Sequence, residues 1–434
     1  MNKTKNDAAW ESLFNKFHVL DEILLNGQYT VTADQMREFR EPRLMAKFDR
    51  RVNLPRIFAD NGLAILPISK KEYVISHFDA YMKFDKADAA LTRAYLPANI
   101  QSLNPMDIPN ETTAVNCALA AGILSDFLGE ESLTAAVAGR MGADDFSFSI
   151  RNTISGGQIR ITARAPQIEI DAAFEGARSV ALIEAKRDVA EDFLVRQLYY
   201  PYRKWEARIN KQIRPVFLIY SNSVFYLYEY LFEEPGVYNS LRLIKHRKYC
   251  IEDTLIRESD IIQVWNSASP RPEPNDPSFP QANCFERVIN LSELLLHQNL
   301  DAAQITDEYA FDMRQTQYYT DAGRYLGLIE RRYESGKPFY LLTPAGRNLL
   351  RLSYRQRQLN LCALMFERRV FYEAYRYYQL SGSIPDREAI VRIMRESNLP
   401  KIKSGDTFYR RAQTVGGWLN WVRSLCQGRI GDIA

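Results

Sequence analysis

The sequence predicts a multidomain α/β protein in which a mixed sheet flanked by helices precedes a mainly α-helical C-terminal part. Its 434 residues are enough for two to four domains of ordinary size. Extended and helical hydrophobic patterns alternate up to residue 266, as they do in an α/β core. A proline-rich segment, residues 267–282, can continue neither a helix nor a central strand and therefore marks a boundary between the two parts.

These patterns divide the chain into five segments. We expect an N-terminal α+β domain at 1–110, the α/β core at 111–266, a linker at 267–282, a winged helix at 283–352 and a second, winged-helix-like unit at 353–434. Within the core, periodicity predicts a helix at 114–139, strands at 146–150, 158–164, 168–174 and 180–186, a helix at 190–209, and strands at 215–220 and 224–230.

Composition excludes several classes of protein. Hydrophobic residues make up 46% of the chain and charged residues 25%, a mixture typical of globular domains. The chain has no long uncharged apolar run, and its polar N-terminus lacks the apolar core of a signal peptide. We therefore expect a cytoplasmic protein without a membrane partner. The five cysteines are scattered singly, which favours reduced thiols over disulfides or a zinc site.

Two regions of the chain are rich in basic residues. Residues 331–430 contain 19 Lys and Arg against 7 Asp and Glu, an excess that suits a polyanion-binding surface. In the N-terminal domain, the pattern of 33–48 predicts an arginine-rich helix that includes Arg43. Two interpretations of that helix remain open, a solvated face or a segment that contacts DNA phosphates.

The most informative residues lie on two consecutive strands of the core. The four residues 175–178 suit a hairpin turn between these strands. If Phe174 pairs with Ser179, the period of two along a strand places Asp171, Glu184 and Lys186 on one face of the hairpin. Two carboxylates can hold Mg²⁺ through their oxygen atoms, and a lysine beside them can orient a nucleophile and stabilise developing charge. The alternative is an ordinary surface ion pair.

Here the sequence resembles the PD-(D/E)xK nuclease superfamily. Ile170-Asp171, followed by Ile183-Glu184-Ala185-Lys186, is similar to its signature, with Ile170 in place of the usual proline. The run at 196–203 and the segment 220–222 resemble type II restriction endonucleases of this superfamily.

The resemblance implies a PD-(D/E)xK nuclease core and one or two Mg²⁺ ions. It implies catalytic roles for Asp171, Glu184 and Lys186, with a supporting role for Gln197 in the following helix. The metal ligands would be Asp171, Glu184 and an acidic residue of the first core helix, for which Glu111 is the first candidate and Glu131 the second.

The C-terminal units supply candidate DNA-binding residues. The predicted recognition helix of the first unit carries amide, phenol and guanidinium groups, which suit base edges and phosphates: Gln315, Tyr318, Tyr319 and Arg324. We expect these four side chains to be exposed. In the second unit, Arg410 and Arg411 lie near the start of the predicted recognition helix. Winged helices also mediate protein–protein contacts, which is the alternative for both units.

These features lead to one principal hypothesis and two alternatives. The principal hypothesis is a sequence-specific, homodimeric type II restriction endonuclease that cuts both strands of DNA. The chain has neither a GxxxxGK[ST] phosphate loop nor a methyltransferase signature, so no ATP is needed and a separate methyltransferase must protect host DNA. The alternatives are a DNA-binding regulator with a degenerate core, and a nuclease of another defence or repair system.

Overall fold

In the computed structural model, which describes residues 4–426 apart from 86–88, 253, 309–312, 335 and 403, an N-terminal unit packs short helices against an antiparallel sheet of order β1-β3-β2. Its elements are α1 (Lys5–Lys16), α2 (Val19–Asn26), β1 (Tyr29–Thr32), α3 (Ala33–Arg37), α4 (Pro42–Met45), α5 (Arg56–Asp60), β2 (Ala64–Pro67) and β3 (Glu72–Ser76). The single helix predicted at 33–48 is wrong. Pro42 lacks an N–H group and starts α4 instead of continuing α3.

The centre of the protein is a mixed sheet of seven strands, with order β5-β16-β15-β14-β12-β11-β6. The elements of this central unit are β4 (Tyr81–Lys83), β5 (Leu91–Ala94), α6 (Glu111–Ala120), α7 (Ile123–Leu128), β6 (Thr134–Ala135), β7 (Gly139–Gly142), β8 (Phe146–Arg151), β9 (Gln158–Ala163), β10 (Gln167–Ile170), β11 (Ala172–Glu175), β12 (Ser179–Lys186), β13 (Asp192–Leu194), α8 (Arg196–Glu206), β14 (Gln212–Ser221), β15 (Val224–Phe232), β16 (Leu241–Ile251) and α9 (Glu258–Ser267).

Strand β12 is an interior strand of this sheet and sends its side chains alternately into two apolar cores. Val180 and Leu182 belong to the core on the side of α8, whereas Ala181 and Ile183 belong to the core on the side of α6 and α7. β12 pairs antiparallel with β11 and parallel with β14, which it reaches through α8. The mixed α/β architecture expected from the sequence is confirmed in this coarse form.

Three predicted elements of the core are interrupted. The strand predicted at 168–174 divides at Asp171, because β10 pairs with β7 while β11 pairs with β12 and β6. The helix predicted at 190–209 starts only at Arg196, since β13 pairs with β4. The helix predicted at 114–139 breaks at Gly122, whose φ of 71° suits glycine, and α7 ends at Leu128.

The C-terminal part is mainly helical, with one small antiparallel sheet of order β17-β19-β18. Its elements are α10 (Phe285–Leu294), β17 (Leu300–Asp301), α11 (Ala302–Glu308), α12 (Met313–Tyr325), β18 (Ile329–Glu334), β19 (Lys337–Leu342), α13 (Pro344–Leu350), α14 (Tyr354–Phe366), α15 (Arg369–Ser381), α16 (Arg387–Glu396) and α17 (Gly405–Ser424). One continuous apolar core runs through both predicted C-terminal units. Among the helices of the described residues, none combines the length and apolar character needed to cross a bilayer.

The proline-rich segment is packed against the helices that follow it. Glu273 is buried and accepts a hydrogen bond from the hydroxyl of Tyr325 at 2.5 Å. Phe279 is buried as well, and its ring stacks on that of Phe371. The segment therefore contributes to the C-terminal core and is not a free tether.

A buried ionic network fixes the C-terminal part to the central sheet. Glu293 of α10 accepts hydrogen bonds from the backbone N–H of Asn222 and from the Ser221 hydroxyl, both at the turn between β14 and β15. The guanidinium of Arg357 pairs with the same carboxylate at 2.9 Å, and the side chains of Arg357 and Glu293 are 3% and 10% exposed. Because both charges are buried, each depends on the other for compensation.

We predict that Arg357→Met lowers the free energy of unfolding by about 3 kcal/mol, because it leaves the Glu293 carboxylate buried without its cation. The double variant Arg357→Met/Glu293→Gln should recover part of that loss. Chemical denaturation measures both values. Arg376→Gln, at an exposed ion pair of α15, is the matched control and should change stability by less than about 0.5 kcal/mol. Wild-type stability of Arg357→Met would contradict the prediction.

Candidate functional site

The hairpin of β11 and β12 brings the predicted catalytic residues to one face. Phe174 pairs with Ala181, so the predicted pairing of Phe174 with Ser179 is wrong by two residues. Because side chains alternate with a period of two, this shift leaves every residue on its predicted face. Asp171 lies directly before β11, and its Oδ2 atom accepts a hydrogen bond from the backbone N–H of Ala185 at 2.8 Å.

Glu184 is the centre of the cluster. It is 8% exposed, and its Oε1 atom accepts hydrogen bonds from Nζ of Lys186 and Nε2 of Gln197, both at 2.6 Å. The N-terminal turn of α8 supplies Gln197, because the crossover between β12 and β14 packs α8 against this face of the sheet. Nζ of Lys186 also donates to the carbonyl of Ala185 at 3.2 Å.

The site raises the pKa values of both central side chains, but for different reasons. Burial raises the pKa of Glu184 to about 7; the charge of Lys186 opposes this rise and that of Asp171 adds to it. Burial alone would lower the pKa of Lys186, but the carboxylates of Glu184, Glu111 and Asp171 hold it above its usual range. Lys186 therefore keeps its positive charge at neutral pH, whereas Glu184 titrates near neutrality.

Glu111, the first candidate for an additional acidic residue, lies at this cluster. It begins α6, and its Oε1 atom is 4.0 Å from Nζ of Lys186. Burial raises the pKa of Glu111, while Lys186 acts in the opposite direction. Glu131, the second candidate, is exposed and precedes β6, which pairs with the end of β11 remote from Asp171. The position of Glu111 is thus the better match to the predicted role.

The donor set suits a small, hard cation. Within the described ranges, no group of three or more His, Cys, Asp or Glu side chains is arranged to hold a metal ion. Mg²⁺ is commonly bound by only one or two carboxylates, with water completing its coordination, and Asp171 and Glu184 provide that pair. In addition, the Oε1 atom of Gln197 is buried beside Glu184 without a hydrogen-bond partner. An unpaired buried oxygen atom at this position fits a bound cation or its water.

The segment immediately after Lys186 is held by residues that the sequence analysis missed. The carboxylate of Asp188 accepts two hydrogen bonds of 3.1 Å from Nη2 of Arg50, whose side chain is only 4% exposed. Asn290 of α10 accepts from the N–H of Val189 at 3.0 Å and donates to the carbonyl of Arg187 at 2.6 Å. The N-terminal unit and the C-terminal part therefore both hold the end of the strand that carries Glu184 and Lys186.

Two of the four residues predicted to be exposed on α12 are engaged within the fold. Tyr319 is buried beneath the guanidinium of Arg287, and Arg324 is 12% exposed and pairs with two carboxylates, Asp276 at 2.7 Å and Asp321 at 2.8 Å. Their predicted exposure is therefore wrong. Gln315 and Tyr318 are half-buried, and the hydroxyl of Tyr318 accepts from Arg314.

The three remaining basic candidates differ in their accessibility. Arg43 on α4 and Arg410 on α17 are exposed. Arg411 is half-buried and donates to the carbonyl of Phe279 in the proline-rich segment. Burial and the neighbouring charge of Arg410 lower the pKa of Arg411. Arg43 and Arg410 therefore present their charge to solvent, whereas Arg411 helps to hold the proline-rich segment.

Comparison with known families divides the chain into three regions. Models of three domains of unknown function match it: DUF6996 over residues 7–75, DUF6997 over residues 76–250 and DUF7226 over residues 287–427. No curated protein and no solved structure matches the chain. The cluster of Asp171, Glu184 and Lys186 lies within the DUF6997 match, while Arg50 and Asn290 come from the other two matches. The contacts after Lys186 thus join all three regions.

We predict that Glu184→Gln stabilises the protein at about pH 8 by about 2 kcal/mol and has little effect at about pH 4. The pKa of Glu184 is raised on folding from 4.5 to about 7. The wild type therefore loses stability as pH rises through this interval, because the folded protein must then bury the ionised form of Glu184. Thermal unfolding at both pH values measures the effect.

Glu229→Gln is the matched control on the same sheet. Glu229 is also buried, but it accepts two hydrogen bonds from Arg214, at 2.6 and 2.8 Å. Removal of its charge should therefore destabilise the protein at about pH 8. A loss of stability in both variants at this pH would show that ionised Glu184 is not under strain from burial.

Proposed function

We propose that the protein is a Mg²⁺-dependent endonuclease that cuts double-stranded DNA at specific sites, as a type II restriction enzyme does. The observation that carries this proposal is the convergence of Asp171, Glu184, Lys186 and Gln197 at one end of β12. A surface ion pair would not need a buried carboxylate with a raised pKa, and such groups are concentrated at functional sites.

The arrangement of secondary structure supports the proposal. Glu184 and Lys186 lie on β12, and Asp171 directly precedes its antiparallel neighbour β11, in a mixed sheet flanked by α6 and α8, as the resemblance to PD-(D/E)xK nucleases implies. In the C-terminal part, α10, β17, α11 and α12 followed by the hairpin of β18 and β19 have the element order of a winged helix. Such a unit beside the core suits a DNA substrate.

Each residue of the cluster has a definite part in phosphodiester hydrolysis. Asp171 and Glu184 would hold the cation, which when bound would acidify water and offset charge on the phosphate. The hydrogen bond from Ala185 orients Asp171, and that from Gln197 orients Glu184. Lys186 remains protonated, and its ammonium group can donate hydrogen bonds to the attacking water or to a phosphate oxygen. Glu111 adds a third carboxylate near that ammonium.

The proposed activity implies further partners. Cutting both strands suits a homodimer, and protection of host DNA requires a separate methyltransferase. The proposal involves no ATP and a cytoplasmic site of action. Arg43, Arg410 and the half-buried Gln315 and Tyr318 are the accessible candidates for DNA contacts.

A DNA-binding protein without catalysis is the second candidate. One observation favours it: Nζ of Lys186 pairs with Glu184 at 2.6 Å, so the lysine already neutralises a carboxylate that the cation requires. In a regulator this ion pair would be permanent and structural. In a nuclease, a bound metal ion would compete with Lys186 for the Glu184 carboxylate, and a DNA phosphate would compete with Glu184 for the Lys186 ammonium.

We predict that Asp171→Ala, Glu184→Ala and Lys186→Ala each reduce cleavage of phage DNA in Mg²⁺ by at least about 100-fold while duplex binding persists, because binding depends mainly on basic surfaces. Plasmid cleavage and gel-shift assays on the same preparations measure the two properties. Glu229→Gln is the control and should cut normally if it folds. Near-normal cutting by Glu184→Ala, or undiminished cutting in excess EDTA, would end the nuclease proposal in favour of the regulator.

A further inference from the structure

Two arginines, Arg187 and Arg347, lie within electrostatic range of His297 where the C-terminal part contacts the candidate active site. Arg187 directly follows Lys186, Arg347 lies on α13, and His297 is exposed just after α10. None of the three belongs to the proposed catalytic cluster. Arg187 is nevertheless close to it, since its charge is one of those that oppose the burial-driven rise in the pKa of Glu111.

Hydrogen bonds fix the positions of the two arginine side chains. Nη1 of Arg347 donates to the carbonyl of Leu296 at 3.0 Å, which holds the guanidinium beside the next residue, His297. Nη1 of Arg187 donates to the carbonyl of Pro109, and its own carbonyl accepts from Asn290. Asn290 and His297 are seven residues apart, on α10 and the turn after it, so one helix holds both sides of the cluster.

The positive charges of this cluster lack a matching anion. Within the described part of the chain, neither Arg187 nor Arg347 forms an ion pair with a carboxylate, and Nε of Arg187 is buried without an acceptor. Burial lowers the pKa of His297, and Arg187 and Arg347 lower it further, against the opposing charges of Asp107 and Glu293. Crowding of like charges costs free energy unless an anion binds among them.

The nearby carboxylates do not fill that role. Glu293 already pairs with Arg357 and accepts hydrogen bonds from the turn between β14 and β15. Asp107 is exposed, and in the described ranges it lies within ion-pairing distance of none of these three side chains. An external anion is therefore the natural partner of the cluster.

We propose that Arg187, Arg347 and His297 bind a backbone phosphate of DNA beside the phosphate that is cleaved. This inference rests on the proposed function and adds to it the place where the DNA strand passes from the core to the C-terminal part. Guanidinium groups match phosphate oxygens in charge and geometry, and a phosphate contact fixes the register of the duplex without reading its sequence. Helix α10 would then position the catalytic strand and the bound DNA together.

The test is the salt dependence of DNA binding, measured in EDTA with a short duplex so that cleavage plays no part. Each phosphate contact contributes about 0.9 to the slope of log K against log salt concentration. Because the site neutralises one phosphate, we expect the double variant Arg187→Gln/Arg347→Gln to reduce the magnitude of this slope by about one, and Arg187→Gln and Arg347→Gln each to reduce it by a part of that amount. Arg347→Lys, which retains the charge, should keep most of the slope.

Arg376→Gln is the control, because Arg376 is an exposed arginine of α15 paired with Glu373. Its slope should equal that of the wild type. Unchanged slopes for Arg187→Gln and Arg347→Gln would overturn the phosphate site and leave the endonuclease proposal standing. Failure of the wild type to bind duplex DNA at low salt would overturn both. Should Arg187→Gln not fold, Arg347→Gln decides alone, since Arg347 lies outside the catalytic cluster.

Discussion

Burial of the Glu184 carboxylate is the constraint on which the candidate site depends. β12 is covered by apolar side chains on both faces, so an ionised group near its end requires compensation from its neighbours. Lys186 supplies a charge, Gln197 supplies a hydrogen bond, and the turn before β11 brings Asp171 to the same face. The sheet therefore bears the cost of a buried carboxylate on one of its interior strands, and the pKa of that carboxylate is raised to about 7.

The same strand end is where the three regions of the chain meet. Arg50 reaches Asp188 from the N-terminal unit, and Asn290 reaches the backbone of 187–189 from α10. Three residues further along α10, Glu293 holds the turn between β14 and β15. Movement of α10 relative to the sheet would therefore disturb both β12, which carries Glu184 and Lys186, and its parallel neighbour β14. The contacts of α10 therefore couple the position of the C-terminal part to the geometry of the candidate site.

Local periodicity accounts for what the sequence could predict. Asp171, Glu184 and Lys186 share a face because strand alternation survives a register error of two residues. Contacts between residues distant in sequence could not be predicted from local periodicity. Arg50 and Asp188, for example, are 138 residues apart. The burial of Tyr319 and Arg324 on α12 likewise depends on residues outside that helix. Arg287 covers Tyr319, and Asp276 pairs with Arg324. Asp188, at the same parity as Glu184 and Lys186, was the one missed residue that the sequence pattern could have indicated.

Asp171 and Glu184 are proposed to hold a divalent cation together, and calorimetric titration with Mg²⁺ measures that binding without reference to cleavage. At about pH 7 the wild type should bind Mg²⁺ with release of protons, because the pKa of Glu184 is raised to about 7 and the cation displaces its proton. Titration in two buffers of different ionisation enthalpy measures that release. Asp171→Asn and Glu184→Gln should abolish the binding. Equal Mg²⁺ binding by Glu184→Gln and the wild type would show that Glu184 is not a ligand of the cation.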